Sequence, residues 1–300
     1  MERRRGQEEQ FRAEGAWGAE DNAILQESLE EEEEVMENLV DCLGYLMKGH
    51  GEAWFAVFDE CVNPLFRQLL AKNQAASLRW NAHCAFADAL EHCGAAAHAY
   101  LPLCFPAFMS GAQQDKDNRL RMVSVYGLSQ CARSPQFLIK YINRVLPLLL
   151  MLANDDAGRG GDAVYVVENA VSALGKLCTI PELQQHVDRA KILPLWLSKL
   201  PLSEDEVEAR STNKLLCDLV EAGDQHLLGQ GMLNAPKVAS VIAKALHMRE
   251  GDHDLADDAT ARRLCSLLEA MQAKMPASVQ EAWGSLSEKQ QQAVQRALAQ

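Results

Sequence analysis

The segment DHDLADD, Asp252 to Asp258, alternates carboxylates as a calcium loop does. Asp257 stands where the sharp-turn Gly belongs, and Arg263 stands where the bidentate Glu belongs, so the loop lacks two parts that calcium binding needs. His83, His92 and His98 lie close in sequence to Cys84 and Cys93, but their spacings match no familiar zinc ligand pattern. GRGGD, Gly158 to Asp162, lacks the framing of a phosphate-binding loop and reads as a connection. There is no G-x-S-x-G, no H-E-x-x-H and no Cys with an evident His to orient it. Trp80, Trp196 and Trp283 fall in helical patterns and read as packing residues. No catalytic, metal or cofactor site follows from these residues, and the chain is not expected to be an enzyme.

The elements that would position any site are repetitive. Prolines recur at Pro64, Pro106, Pro147, Pro194 and Pro236, at intervals of 42, 41, 47 and 42 residues. The late apolar positions Met47, Leu90, Cys131, Cys178 and Val220 keep step, at intervals of 43, 41, 47 and 42. A period of this length argues for one solenoid of about six helix pairs. Val35, Leu39, Val40, Leu43, Leu46 and Met47 have the spacing of an amphipathic helix, with the acidic run Glu30 to Glu34 before them. Ser77 to Cys93, Asp117 to Arg133, Val164 to Thr179, Glu206 to Ala222 and Thr260 to Met275 read as the following first helices. The prolines are expected to open the second helices, where a missing N–H costs nothing. A lead-in segment such as Phe137 to Val145 would precede Pro147. The polar end LSEKQQQAVQRALAQ reads as a terminal capping helix. No such cap precedes the first pair, so that side is expected to stack on something else.

The chain carries a net charge of −13, of which residues 1 to 34 hold twelve acids and four arginines. Residues 1–29 therefore read as an acidic, disordered or loosely helical segment, and residues 30–300 as the solenoid. The sign of the charge disfavours nucleic acid and favours basic protein partners. Nine cysteines without C-x-x-C, and no glycosylation sequon, favour a reducing compartment in which thiols act as small packing residues. Ala95 to Ala112 lacks charge, but His98, Pro102 and Pro106 interrupt it, which argues against a membrane span.

ILPLWLSKLPLSEDEVEA, continued by NKLLCDLVEAGDQHLLGQGMLNAPKVASVIAKAL, and the stretches RWNAHCAFADALEHC, VYGLSQCARSP and ENAVSALGKLC carry a resemblance. They are similar to the carboxy-terminal end of the karyopherin beta three (importin five) branch of the importin-beta superfamily. That resemblance implies an all-α superhelix of HEAT repeats, armadillo-like in architecture. It also implies a receptor that shuttles between cytoplasm and nucleus with cargo proteins and engages FG nucleoporins at the pore. Ran is a further implied partner, although the amino-terminal arch that mainly holds it in that family has no counterpart in these residues. On this reading the chain is a segment of a longer receptor or a shortened paralogue. The alternative is a generic HEAT-repeat scaffold of a multiprotein complex, because fold alone does not fix function. Neither reading implies a cofactor, nucleic acid or a membrane.

Within the repeats, one set of charges recurs. Asp115 and Asp117, then Asp155 and Asp156, then Glu204, Asp205 and Glu206, then Asp252 and Asp254 fall in the turns before successive first helices. Stacking would align them as an acidic rim suited to basic cargo. Capping of the helix that follows each turn is the structural alternative.

Overall fold

The computed structural model describes residues 19–155, 161–249 and 255–299. Every regular element among them is helical. The helices fall into six pairs and a closing helix. The first pair is α1 (Ala19–His50) and α2 (Asn63–Leu69), joined by the helical turns Gly51–Trp54 and Phe58–Val62. The next pairs are α3 (Ala76–His92) with α4 (Leu101–Gln114), and α5 (Asn118–Gln130) with α6 (Ile142–Ala153). Then come α7 (Ala163–Thr179) with α8 (Arg189–Ser198), and α9 (Glu206–Glu221) with α10 (Ala235–Arg249). The array ends with α11 (Asp258–Lys274), α12 (Pro276–Gly284) and α13 (Glu288–Leu298). Each first helix packs on the first helix of the next pair, in the order α1, α3, α5, α7, α9, α11. The segment 1–29 of the sequence reading lies largely outside the described residues, although helix α1 already runs from Ala19.

Local signals set most boundaries. Asp117 accepts hydrogen bonds from the N–H groups of Arg119 and Leu120, Asp205 from Glu208, and Asp257 from Thr260, so each caps the helix it precedes. Ser287 and Gln290 form a reciprocal capping box at the start of α13. One face of each helix then enters a continuous core. On α1 it is Val40, Leu43 and Met47, and on α7 it is nearly the whole circumference. Phe58 meets Phe86 edge to face at 5.7 Å, and both lie against Tyr100, tying the first pair to the second. Trp196, fully buried, occupies the space left open by Gly175, where a Cβ would fall 2.5 Å from the indole nitrogen.

The prolines correct one expectation. Pro64 and Pro236 do stand at helix starts, but Pro106, Pro147 and Pro194 lie inside α4, α6 and α8. All three occupy the sixth residue of their helix. The carbonyl each deprives of a partner belongs to Pro102, Asn143 or Ala190, which are exposed residues of the first turn. Water can therefore take up the lost bond. The lead-in before α6 is the short helix Pro135–Ile139, separated from α6 by Lys140 and Tyr141.

The cysteines divide. Cys93, Cys104, Cys131, Cys178 and Cys217 are buried, and burial raises the thiols of Cys93 to about 11 and of Cys104, Cys178 and Cys217 to about 12. Cys42 and Cys61 are exposed instead, both in the first pair.

Candidate partner-binding surface

Most of the described acidic turn residues bond within the chain. Asp115 pairs with Arg79 of the preceding first helix and accepts the N–H of Asp117 at 3.1 Å. Burial alone would raise its carboxyl, but Arg79 and the N–H of Asp117 outweigh that and hold it below the usual range. Asp205 accepts from Asn169 Nδ2 at 2.8 Å as well as capping α9. Glu206 pairs with Arg210 at 3.3 Å. Asp155 is half-buried, while Asp156, Asp252 and Asp254 lie outside the described residues. Glu204 is the exposed member among those described, and its carboxylate accepts from Ser203 Oγ at 3.3 Å.

A carboxylate absent from the sequence reading organises the third of these turns. Glu168, on α7, accepts hydrogen bonds from the N–H groups of Ser203, Glu204 and Asp205 at 2.8, 3.1 and 2.7 Å. Burial raises its carboxyl, and the three N–H groups offset part of that rise. The signal was a charged residue in the apolar run YVVENAV, where only a partnered carboxylate can be buried. Asn213 does similar work one repeat on, donating to the carbonyl of Leu255 at 2.9 Å.

At the other end of the first helices, ion pairs bridge neighbours. Glu91 meets Arg133 at 3.2 Å and accepts from Tyr126, and Arg263 reaches both Asp218 and Glu221 at 2.6 Å. Asp88 lies beside Glu91 and Tyr126, in a groove of ≈250 Å³ lined by Asp41, Gly44, Tyr45, Lys48 and His92. Burial, with Glu91 and Asp41 close by, raises its carboxyl to about 7.

Two of the histidines weighed above for zinc make contacts of another kind. His83 is buried, with Nδ1 2.6 Å from the carbonyl of Arg79 and its ring edge-on to Phe108, while His92 lies 3.9 Å from Glu91. Among the described residues no group of three or more His, Cys, Asp or Glu side chains is placed to hold a metal ion.

An apolar groove of ≈190 Å³ opens between α5 and α7, lined by Asn118, Arg119, Met122, Asp162 and Tyr165. Met122 and Tyr165 are half-buried walls, and Asp162 lies at its rim. Arg119 is held in place at its edge, with its guanidinium 4.3 Å from the Trp80 ring and 2.8 Å from Glu37. This fixed cation and apolar slot suit a single aromatic or aliphatic side chain from an extended peptide. A second apolar hollow, ≈280 Å³, lies between α11, α12 and α13, against Leu268, Val279, Trp283 and Leu298.

Stacked helix pairs with capped turns define a HEAT-repeat solenoid. No family model matches the chain. It is 26% identical over 199 residues to a probable importin-5 homolog of Dictyostelium discoideum, a match covering 64% of this chain and 18% of that protein. Its fold matches a crystal structure of a Kap121p mutant with a TM-score of 0.66 at 16% identity, over 88% of this chain and 22% of that one. The chain thus spans about a fifth of the length of the proteins it matches. In sequence and in fold it resembles the importin-beta superfamily, as a HEAT-repeat segment.

Proposed function

We propose that the chain is a nuclear transport receptor segment that takes part in protein import, binding cargo and pore proteins as it moves between cytoplasm and nucleus. The similarity to an importin-5 homolog carries this reading. The groove between α5 and α7 supports it, because it offers a docking point for the phenylalanines of FG nucleoporins. Weak single contacts suit that task, since one apolar side chain in a shallow groove gives fast release and repeated sites give avidity. The acidic turns add long-range attraction for basic cargo, with the exposed Glu204 as the member freest to meet it. Ran is a further partner on this reading. The role is one of binding rather than catalysis.

Capture of the purified chain on immobilised FG-repeat nucleoporin, against a matched repeat with Phe changed to Ser, tests the reading. Selective capture supports it. Equal or absent capture would leave the generic scaffold as the better account.

A further inference from the structure

The charges of the chain are sorted by layer. The second helices stack on one another as the first helices do: the Phe105 ring of α4 is centred 4.6 Å from that of Tyr141, just ahead of α6, and α10 packs on both α8 and α12. Although the chain carries a net charge of −13, the second helices α2, α4, α6, α8 and α10 contain no Asp or Glu. Their charged residues are cations. On α6 the exposed Arg144, Pro147 and Met151 recur at helical spacing, and on α8 Lys191 and Leu195 do the same. The proline register sets Arg144 level with Lys191, and Leu195 level with Lys237 of α10. Lys237 and Lys244 are half-buried and lie two turns apart on one side of α10. Burial lowers the Lys237 amine below its usual range, and the charge of Lys244 lowers it further. The nearest acids are engaged elsewhere, Asp188 with Lys191 at 3.2 Å and Asp224 with Arg189. A half-desolvated cation beside another cation costs stability, and an aliphatic residue would fill the same place without that cost.

We propose that the outer face of α6, α8 and α10 is a docking surface for an extended segment of a partner protein in which carboxylates are interleaved with aliphatic residues. Charge complementarity names the carboxylates, because every charge on these three helices is positive. Pro147, Leu195 and Met151, the last 56% exposed, stand among the cations and name the aliphatic part. Lys237 and Lys244 are about 10 Å apart along the helix axis. In the polyproline II form a peptide brings every third residue to the same side at about 9 Å, so Glu at every third position meets both lysines. A phosphate backbone fits less well. Cations spread among apolar side chains neutralise few phosphates, and the exposed Glu204 in the turn after α8 repels others. The run ends at α12, which carries the exposed Glu281. This surface is distinct from the α5–α7 groove, and it stands whether or not the transport reading does.

Fluorescence anisotropy of a dye-labelled peptide of repeated Glu-Leu-Pro, titrated with the full chain at low salt, tests the proposal. The expected result is saturable binding that weakens as salt is added. A repeated Gln-Leu-Pro peptide should bind at least tenfold more weakly, and Lys237→Glu with Lys244→Glu should raise the Kd of the Glu peptide by at least as much. Lys214→Glu with Lys274→Glu makes the same change of charge at exposed sites on α9 and α11 and should alter binding little. Lys237→Met should weaken binding while the thermal midpoint stays equal or rises, because it removes a desolvated charge and keeps an apolar stem. That variant reads the site even where the paired Glu changes disturb α10. Excess poly-uridine should not displace the peptide. Absence of binding, an equal loss in the two Glu pairs, or displacement by poly-uridine would overturn the proposal.

Discussion

The carboxylate of Glu168 accepts a hydrogen bond from the backbone N–H of Asp205, 2.7 Å away and 37 residues further along the chain. With the N–H groups of Ser203 and Glu204 it fastens α7 to the turn that starts α9. Glu168→Ala leaves three donors without this acceptor, and the expected loss is about 2–3 kcal/mol in denaturant unfolding. Glu168→Gln keeps an acceptor oxygen and should lose less. Equal stability of the Ala variant and the parent would show that solvent replaces the carboxylate fully.

Asp88 should make the N-terminal repeats sensitive to pH. Its carboxyl sits at about 7 in the folded chain and near 4 when unfolded, so the folded state holds the proton more tightly. Stability therefore falls as pH rises from about 4 to 7, and the penalty is complete above that window. Glu91 on its own helix and Asp41 on α1 add to the effect of burial, whereas the hydrogen bond from Tyr126 on α5 opposes it. Asp88→Asn should stabilise the chain at pH 8 by about 1–3 kcal/mol and change it little at pH 4. Thermal unfolding at the two pH values checks this, and a gain confined to the acid side would contradict it.

Pro147 and Leu148 are neighbours with opposite roles. Pro147 is exposed inside α6, whereas Leu148 is only 6% exposed. Pro147→Ala restores an N–H inside a helix and should leave stability equal or slightly higher, while Leu148→Ala should cost about 2–5 kcal/mol. A large loss from Pro147→Ala would mean that the proline itself is needed for α6 to seat on α7.

Asp205 and Glu204 separate capping from partner binding. Asp205→Ala removes a cap and should lower stability by about 1 kcal/mol. Glu204→Gln alters an exposed charge and should leave stability within about 0.5 kcal/mol while weakening a Lys-rich peptide, with the difference disappearing at high salt. Unchanged peptide binding would remove Glu204 from the cargo surface.

The sequence carried the repeat and most first-helix boundaries because apolar periodicity and Asp caps act locally. Ser77 to Cys93 was expected where Ala76–His92 forms, and Glu206 to Ala222 where Glu206–Glu221 forms. Pro106, Pro147 and Pro194 misled because the start of a second helix depends on the exposure of its first-turn carbonyls, which appears only once the helices are packed. Glu168 was missed for a related reason, since its donors arrive from a turn 35 to 37 residues away. The α5–α7 groove likewise depends on how two helices cross, and Met122 and Tyr165 look like ordinary amphipathic residues until they face each other.

The most direct measurement is a titration of the chain with a short Phe-Gly repeat peptide, followed by NMR shifts or fluorescence anisotropy. Tyr165→Ser and Met122→Ser would be compared with Trp283→Ser in the hollow at the other end. Saturable binding that either groove change weakens at least tenfold, and that Trp283→Ser leaves intact, is the predicted result. Absence of binding, or binding equally strong in all three variants, would contradict the assignment of this groove and the transport reading built on it.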